Sequence, residues 1–281
     1  MFKRVMGAVV GLPLLILILG WAPSWATMLL LAAMCAIGAW ELMHAAAGER
    51  GRPLIPLTVI AAALVPVCVY AEVSIENTEL TALPVLPLTA LLGAVLVLAL
   101  FVVSICRYGG ERAVPFAALT TAIFAGLVFP LMLSCMLRLR MVPYIGMLLV
   151  FFPLCISFGS DTFAFFAGLL FGKHKLTPVS PKKTVEGAIG GLIGGVIGMM
   201  IMPFVGGMVI SDAFMSPTMA VAFGLLGSVV SQIGDLSFSV IKREFGVKDY
   251  GNLLPGHGGI LDRFDSVTFV APFVWLLLEL I

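Results

Sequence analysis

Charged residues are scarce in this sequence. Only 11% of its 281 residues are Asp, Glu, Lys or Arg, whereas soluble proteins carry roughly 25%. Hydrophobic residues make up 61% of the chain. The low charge excludes an ordinary soluble enzyme, and a net charge of +1 gives no basis for a nucleic-acid partner. We therefore predict an integral membrane protein that binds no nucleic acid.

Cysteine pairs, linkers and low-complexity tails are also missing. None of the five cysteines forms a CxxC pair, which excludes the common zinc and thiol-redox motifs. We interpret all five as small apolar core residues. They are Cys35, Cys68, Cys106, Cys135 and Cys155. Since no linker or soluble domain interrupts the apolar runs, we predict a single membrane domain over residues 1–281.

Long apolar runs predict an all-α, polytopic fold with about nine transmembrane helices. A helix needs roughly 20 apolar residues to cross the bilayer core. Windows of about that size fall near residues 5–21, 26–46, 54–71, 83–105, 114–137, 143–170, 185–210, 215–240 and 266–281. The first window could be a signal peptide that ends near Ala26. We favour a retained first span, because a second apolar run starts at Thr27.

Basic residues in the short loops predict the orientation. A cytoplasmic N-terminus places most of them on the cytoplasmic side, whereas the loop that follows the third window carries only acids. Arg138 and Arg140 are the exceptions, because nine spans put them outside. We expect the protein in the cytoplasmic (inner) membrane, with its active site facing the cytoplasm. The predicted cytoplasmic residues are Lys3, Arg4, Arg50, Arg52, Arg107, Arg112, Lys173, Lys175, Lys182, Lys183, Lys242, Arg243, Lys248 and Arg263.

Charge is unevenly distributed along the chain. The segment 161–265 holds 16 of the 31 charged residues, several of them in or beside predicted spans. A charged group at such a position is costly and predicts a function. We therefore expect residues 1–140 to form scaffold spans, and residues 141–281 to form the catalytic spans and loops.

Three aspartates indicate a metal site near the last span. Asp262 and Asp265 are three residues apart, and Asp235 shares one helical face with Ser239 and Lys242. An all-oxygen pocket suits Mg²⁺, and three nearby carboxylates would repel one another without a cation. Two alternatives stay open: Asp235 could form a structural pair with a lysine, and the other two could cap a helix N-terminus.

Asp161 lies inside the sixth window, within "SFGSDTFAFFAG". No Lys or Arg occurs in the ten residues before it. It could be a fourth acid of the site or a hydrogen-bonded structural group. The sequence does not separate these two roles.

Two polar loops predict binding of phosphate groups. The glycines of loop 244–261 would let backbone N–H groups turn toward an anion, beside Lys248, His257 and Arg263. The alternative is a flexible connection between two helices. In the other loop, Lys182 and Lys183 precede a helix N-terminus, which favours an anion site. They could instead set the orientation or bind anionic lipid.

Glycines recur every four residues in the seventh window. One set is Gly187, Gly191 and Gly195, and the other is Gly190, Gly194 and Gly198. This spacing is typical of helices that approach each other closely in lipid. No strand precedes the segment, so we do not interpret it as a dinucleotide-binding motif.

Acids for a hard metal and bases for phosphate thus occur on one membrane face. This pattern favours chemistry on a phosphorylated substrate delivered from lipid. Hydrolysis, phosphoryl transfer and nucleotidyl transfer all stay open from the residues alone. A cation-coupled transporter is a further alternative, because acids within a membrane often mark ion paths.

Residues 239–265, "SVIKREFGVKDYGNLLPGHGGILDRFD", resemble the signature of the phosphatidate cytidylyltransferases, also called CDP-diacylglycerol synthases. The segment "SPKKTVEG" at 180–187 and the pair Ser160–Asp161 also resemble family segments. The first 150 residues are similar only in being apolar spans. A match with this many polar positions is highly specific.

The resemblance implies transfer of CMP from CTP to phosphatidate in phospholipid biosynthesis, with CDP-diacylglycerol and pyrophosphate as products. It implies Mg²⁺ as cofactor, allows K⁺ as a second ion, and suggests a homodimer embedded in membrane lipid. A CTP-dependent lipid kinase of the polyprenol type is the alternative within the same class.

The resemblance also assigns roles to residues of this chain. The metal ligands would be Asp235, Asp262 and Asp265, which with Lys242 form the expected catalytic set. The expected substrate-binding residues are Asp161, Lys182, Lys183, Ser239, Arg243, Lys248, His257 and Arg263.

Overall fold

The structure is a computed structural model that describes residues 11, 13–77, 87–210, 214–251 and 258–281. The regular elements of these residues are helices, so the all-α prediction is confirmed. Lys175 and Thr184 form an isolated antiparallel bridge in one of the polar loops.

Nine helices longer than one or two turns are described. They are α1 (Ser24–Ala46), α2 (Ile55–Glu76), α3 (Leu88–Cys106), α4 (Phe116–Ile123), α5 (Phe129–Arg140), α6 (Phe152–Phe171), α7 (Val185–Ile210), α8 (Pro217–Glu244) and α9 (Leu261–Glu279). A short helix Gly48–Gly51 and a 3₁₀ turn Arg52–Leu54 lead into α2, and a π-helical turn Phe124–Val128 joins α4 to α5. A short helix Gly146–Leu149 precedes α6.

Seven helical stretches of the described residues are long and apolar enough to cross a membrane. They are Ser24–Ala46, Gly48–Glu76, Leu88–Cys106, Phe116–Arg140, Gly146–Phe171, Val185–Ile210 and Pro217–Glu244. Each corresponds to one predicted window, and the chain is a polytopic integral membrane protein. The first window, 5–21, lies partly outside the described residues, at 5–10 and 12. The ninth corresponds to α9, which is less apolar because it begins with Asp262, Arg263 and Asp265. A total of nine spans stays a prediction.

The chain divides into two compact units. The first unit comprises Met1–Met141 and Phe245–Arg263, and the second comprises Val142–Glu244 and Phe264–Ile281. The first therefore contains α1 to α5 together with the loop that leads into α9. The second contains α6, α7, α8 and most of α9. The assignment of scaffold and catalytic roles to the two halves of the chain stays a prediction.

Arg138 and Arg140, the two basic residues predicted to lie outside the cytoplasmic face, have structural partners within the first unit. Arg138 Nη2 lies 3.1 Å from Glu72 Oε2 in an ion pair. Glu72 Oε1 also accepts hydrogen bonds from the N–H of Thr89 (2.7 Å) and from its hydroxyl (2.9 Å). Arg140 Nη2 donates to the carbonyl of Ala22 at 2.9 Å. These bonds connect distant segments of the first unit, which accounts for arginines at this end of α5.

Within the second unit, the glycine repeat of α7 packs against both neighbouring helices. A methyl group at Gly194 would overlap the carbonyl oxygen of Gly159 and the side chain of Phe163, on α6. One at Gly195 would overlap the Ser228 hydroxyl, on α8. The predicted packing role is therefore confirmed, since the helices approach too closely for any side chain at these positions.

The cysteines are all free. Cys35 and Cys135 are buried, and Cys68 and Cys155 are partly buried. Cys106 is exposed, so its prediction as a core residue is wrong. It lies at the C-terminus of α3, whose described surface is otherwise largely apolar and exposed.

Candidate active site

A cavity of about 390 Å³ lies within the second unit, between α6, α7, α8 and the loop before α7. Its walls are largely apolar and carry a few polar side chains. Four predicted site residues line this cavity, so the fold brings them together although up to 74 positions separate them in the sequence. They are Asp161, Lys182, Lys183 and Asp235. Thr184 and Gln232 complete the polar lining.

Lys183 and Asp235 form an ion pair in this cavity. Both side chains remain partly accessible, at 28% and 24% exposure. Ser239, one turn later on α8, donates its hydroxyl to Asp235 Oδ1 at 3.4 Å. The predicted common face of Asp235 and Ser239 is thus confirmed. Of the two roles proposed for Asp235, the lysine pair is present, and its partner is Lys183.

The loop before α7 holds the two lysines at the helix N-terminus. The N–H of Leu176 donates to the carbonyl of Lys183 (3.0 Å), and the N–H of Val185 to that of His174 (2.9 Å). Thr184 caps the helix, because its hydroxyl accepts the N–H of Gly187 at 3.1 Å. The lysine charges therefore stand at the positive end of the α7 dipole, which favours an anion.

Glu186 and Arg243 tie further parts of this loop down. Glu186 accepts the backbone N–H groups of Lys173 (3.1 Å) and His174 (3.3 Å), and its other oxygen lies 2.6 Å from His174 Nδ1. Arg243 Nε donates to the carbonyl of Val179 at 3.3 Å. The predicted phosphate ligand Arg243 thus connects the end of α8 to the loop that carries Lys182 and Lys183.

Asp265 is a buried acid of the second unit, with 8% exposure. Burial and, next, repulsion from Asp235 raise the pKa of its carboxyl to about 7. The N–H of Ser266, 2.8 Å from Oδ1, and the ammonium of Lys242 act in the opposite direction, and Asp161 adds to the repulsion. The charges of two other predicted site acids of this unit thus act on Asp265.

This set of oxygen donors fits a hard divalent cation. A buried carboxyl that is repelled by other carboxylates gains most when a cation lies among them, and carboxylate oxygens are the ligands that Mg²⁺ prefers. In the part of the chain that the structure describes, no three His, Cys, Asp or Glu side chains lie close enough together to bind one metal ion. The chemistry of the acids in the second unit thus suits Mg²⁺, and binding would require their side chains to converge.

Asp262 belongs to the first unit, where its carboxylate binds the loop between α8 and α9, residues 245–260, which is named the signature loop. Its Oδ2 accepts the backbone N–H of Tyr250 at 2.8 Å and that of Gly259 at 3.0 Å. Both N–H groups belong to the loop before α9, so Asp262 binds the loop backbone, and its role as a helix cap stays a prediction. Its role as a metal ligand stays a prediction.

Glu41, on α1, is a second carboxylate that binds backbone N–H groups at the start of α9. Its side chain is fully buried, and its two oxygens accept the N–H groups of Ile260 (3.1 Å) and Leu261 (3.0 Å). Loop N–H groups that we expected to face a phosphate thus bind carboxylates of the protein itself. The sequence contained a signal for Glu41, because an acid within an apolar span is costly.

The other described residues of the resembling segment include two exposed basic residues and two glycines with positive φ. Lys248 and Arg263 are exposed in the first unit. Gly246 and Gly258 have φ values of 68° and 84°, which a side chain would disfavour. The predicted phosphate donor His257 lies outside the described residues.

Comparisons with known proteins agree with the predicted family. The chain matches the Cytidylyltransferase family over residues 2–281. It is 39% identical to a phosphatidate cytidylyltransferase of Bacillus subtilis over 160 aligned residues. The aligned residues cover 57% of this chain and 56% of that protein. The chain is 46% identical over 134 residues to one of Staphylococcus saprophyticus, covering 47% and 50%. The chain thus aligns with about half the length of these curated relatives. Since the family match extends over nearly every residue, the chain belongs to the cytidylyltransferase family.

Proposed function

We propose that this protein transfers CMP from CTP to phosphatidate, which yields CDP-diacylglycerol and pyrophosphate. The observation that carries the proposal is the cavity of the second unit. There Lys182 and Lys183, at a helix N-terminus, face the same space as Asp161 and Asp235. The family match and the names of the relatives support this reaction among those that such a site could perform.

The proposed chemistry is an attack of one phosphate on another. A phosphate oxygen of phosphatidate attacks the α-phosphorus of CTP, a new P–O bond forms, and the bond to the β-phosphate breaks. A phosphate monoester has a second pKa of about 6, so this oxygen is largely ionised at pH 7. The site then needs no strong base, and its task is to position two anions and reduce their repulsion.

The basic residues of the chain would do most of this work. Lys182 and Lys183 would hold phosphates of CTP at the start of α7, where the helix dipole adds to their charge. Lys183 would exchange its partner Asp235 for a phosphate oxygen when the nucleotide binds. Lys242, Arg243, Lys248 and Arg263 are the further phosphate ligands of the proposal.

Mg²⁺ is the proposed cofactor. Asp235 and Asp265 would hold it, with Asp262 as the third ligand that the signature implies, and it would neutralise phosphate charge. Release of Asp235 from Lys183 would free a carboxylate for this role. K⁺ as a second ion and assembly as a homodimer are also part of the proposal, and the mass of the detergent-solubilised protein tests the latter.

We place the reaction at the cytoplasmic face of the inner membrane. Phosphatidate would enter from the lipid leaflet, and CTP would enter from the cytoplasm. The basic loops support this orientation, because Lys and Arg accumulate on the cytoplasmic side of membrane proteins.

Labelled CTP provides the test. Purified protein in detergent is mixed with phosphatidate, Mg²⁺ and CTP labelled at either the α- or the γ-phosphate, with and without EDTA. We expect the α-label in lipid and the γ-label in pyrophosphate, with both transfers lost in EDTA. A lipid kinase would place the γ-label in lipid. Ion transport in liposomes that lack CTP would favour a transporter.

A further inference from the structure

Glu41 holds the start of the last helix from a distant part of the chain. It lies near the C-terminal end of α1, and its hydrogen-bond partners Ile260 and Leu261 are 219 and 220 residues away. All three belong to the first unit. One carboxylate thus accepts two consecutive backbone N–H groups at the N-terminus of α9. Such charge-assisted bonds are stronger than neutral ones, and the helix dipole adds to them.

Two glycines of the signature loop pack against this carboxylate. A methyl group at Gly251 or at Gly259 would overlap the oxygens of Glu41. A side chain at either position would displace the Glu41 carboxylate from its present place. The glycines of this loop predicted a phosphate site, whereas Gly251 and Gly259 lie against the carboxylate of Glu41.

Asp262 and Glu41 together fix both sides of the loop. Asp262 accepts the N–H groups of Tyr250 and Gly259, and Glu41 accepts those of the next two residues, Ile260 and Leu261. Four backbone donors are thereby bound by two carboxylates. Since Gly259, which donates to Asp262, directly precedes the two residues that donate to Glu41, a displacement of Glu41 would displace the backbone to which Asp262 is bound.

We propose that Glu41 is a positioning residue for the reaction. Its buried carboxylate sets the backbone at the start of α9 and through it the orientation of Asp262, without touching substrate itself. The inference rests on the proposed function, because it assigns to Glu41 the positioning of Asp262, a proposed metal ligand. It predicts that removal of this one charge slows turnover more than its effect on stability explains.

The test compares Glu41→Gln with Glu72→Gln. Glu72 is the matched control, because it is also a buried glutamate of the first unit that accepts a backbone N–H, but its partners are Thr89 and Arg138. Glutamine keeps the shape of the side chain and places an amide NH₂ where an acceptor is needed. The readouts are the thermal midpoint, kcat and KM for CTP, and hydrogen exchange of the amides at 258–262.

We expect Glu41→Gln to lower kcat by roughly 10- to 100-fold, as is usual for groups that orient a ligand residue. Exchange should accelerate at 258–262, and Glu41→Asp should recover part of the activity. Glu72→Gln should lower the thermal midpoint and leave kcat within about twofold of wild type, a margin of ~0.4 kcal/mol.

The inference is overturned if Glu41→Gln retains wild-type kcat, or if both variants lose kcat in proportion to their loss of stability. If Glu41→Gln does not fold, Glu41→Asp carries the same comparison. A failure of the proposed function looks different, because wild-type protein itself would then fail to transfer the α-label of CTP to phosphatidate.

Discussion

Lys183 and Asp235 form an ion pair inside the cavity of the second unit, although 52 positions separate them in the sequence. One belongs to the loop before α7 and the other to α8. The pair joins a predicted phosphate ligand to a predicted metal ligand, so each keeps its charge balanced in the absence of substrate. Binding of nucleotide and cation would exchange this internal partner for external ones.

The first prediction concerns Lys183. Lys183→Ala should raise KM for CTP by about tenfold or more, because a phosphate contact of a charged group contributes on the order of 1.5–3 kcal/mol. Steady-state kinetics with varied CTP measure this change. Lys175→Ala is the control, since Lys175 is an exposed lysine of the same loop that does not line the cavity. An equal effect of the two substitutions would contradict a specific role for Lys183.

The second prediction concerns Asp262. Asp262→Asn should abolish turnover while the protein stays folded, because the remaining amide oxygen can still accept backbone N–H groups but binds a cation poorly. Activity and the thermal midpoint are measured together. Glu244→Gln, at an exposed acid that ends α8, should leave activity unchanged. Near wild-type turnover in Asp262→Asn would remove Asp262 from the proposed metal ligands.

The third prediction concerns pH. The pKa of Asp265 is raised to about 7, chiefly by burial. The folded state therefore binds a proton that the unfolded state releases at lower pH. This contribution to stability is fully present below the ordinary carboxyl pKa of 3.8 and is lost as the pH rises through about 7.

Mg²⁺ should show the opposite dependence on pH, because it needs the ionised carboxylate. We expect its affinity to rise up to tenfold per pH unit below about 7 and to level off above it. Isothermal titration calorimetry at several pH values measures this, and proton release should accompany binding near pH 6. Asp265→Asn should bind weakly without the slope. A wild-type affinity independent of pH from 5 to 8 would contradict the assignment.

The fourth prediction concerns helix packing. Gly194→Ala should destabilise the second unit by about 1–3 kcal/mol, because the methyl group overlaps α6. Gly207→Ala is the matched control on the same helix, since no described atom lies within 4 Å of the added carbon. Thermal unfolding in detergent compares the two. Equal midpoints would show that α6 and α7 separate readily enough to accept the side chain.

Local patterns predicted much of this fold. Apolar windows located seven helices, because the length of a span is set by the bilayer and is visible in the sequence. The period of an α-helix placed Ser239 beside Asp235, and four-residue glycine spacing predicted the contacts of α7. In each case the relevant residues are neighbours in one helix.

Partners from distant helices could not be predicted in this way. The bonds from Glu41 to Ile260 and Leu261 depend on how α1 packs in the first unit, and no spacing encodes that. The same holds for Arg138, whose predicted position outside the cytoplasmic face is explained by its ion pair with Glu72. The lysine partner of Asp235 was open for the same reason.

The fate of the α-phosphate of CTP tests the central claim most directly. Wild-type protein with phosphatidate, Mg²⁺ and α-labelled CTP should produce labelled lipid, and a parallel reaction with γ-labelled CTP should release labelled pyrophosphate. Label from the γ-phosphate in lipid, with CDP as the second product, would contradict the account.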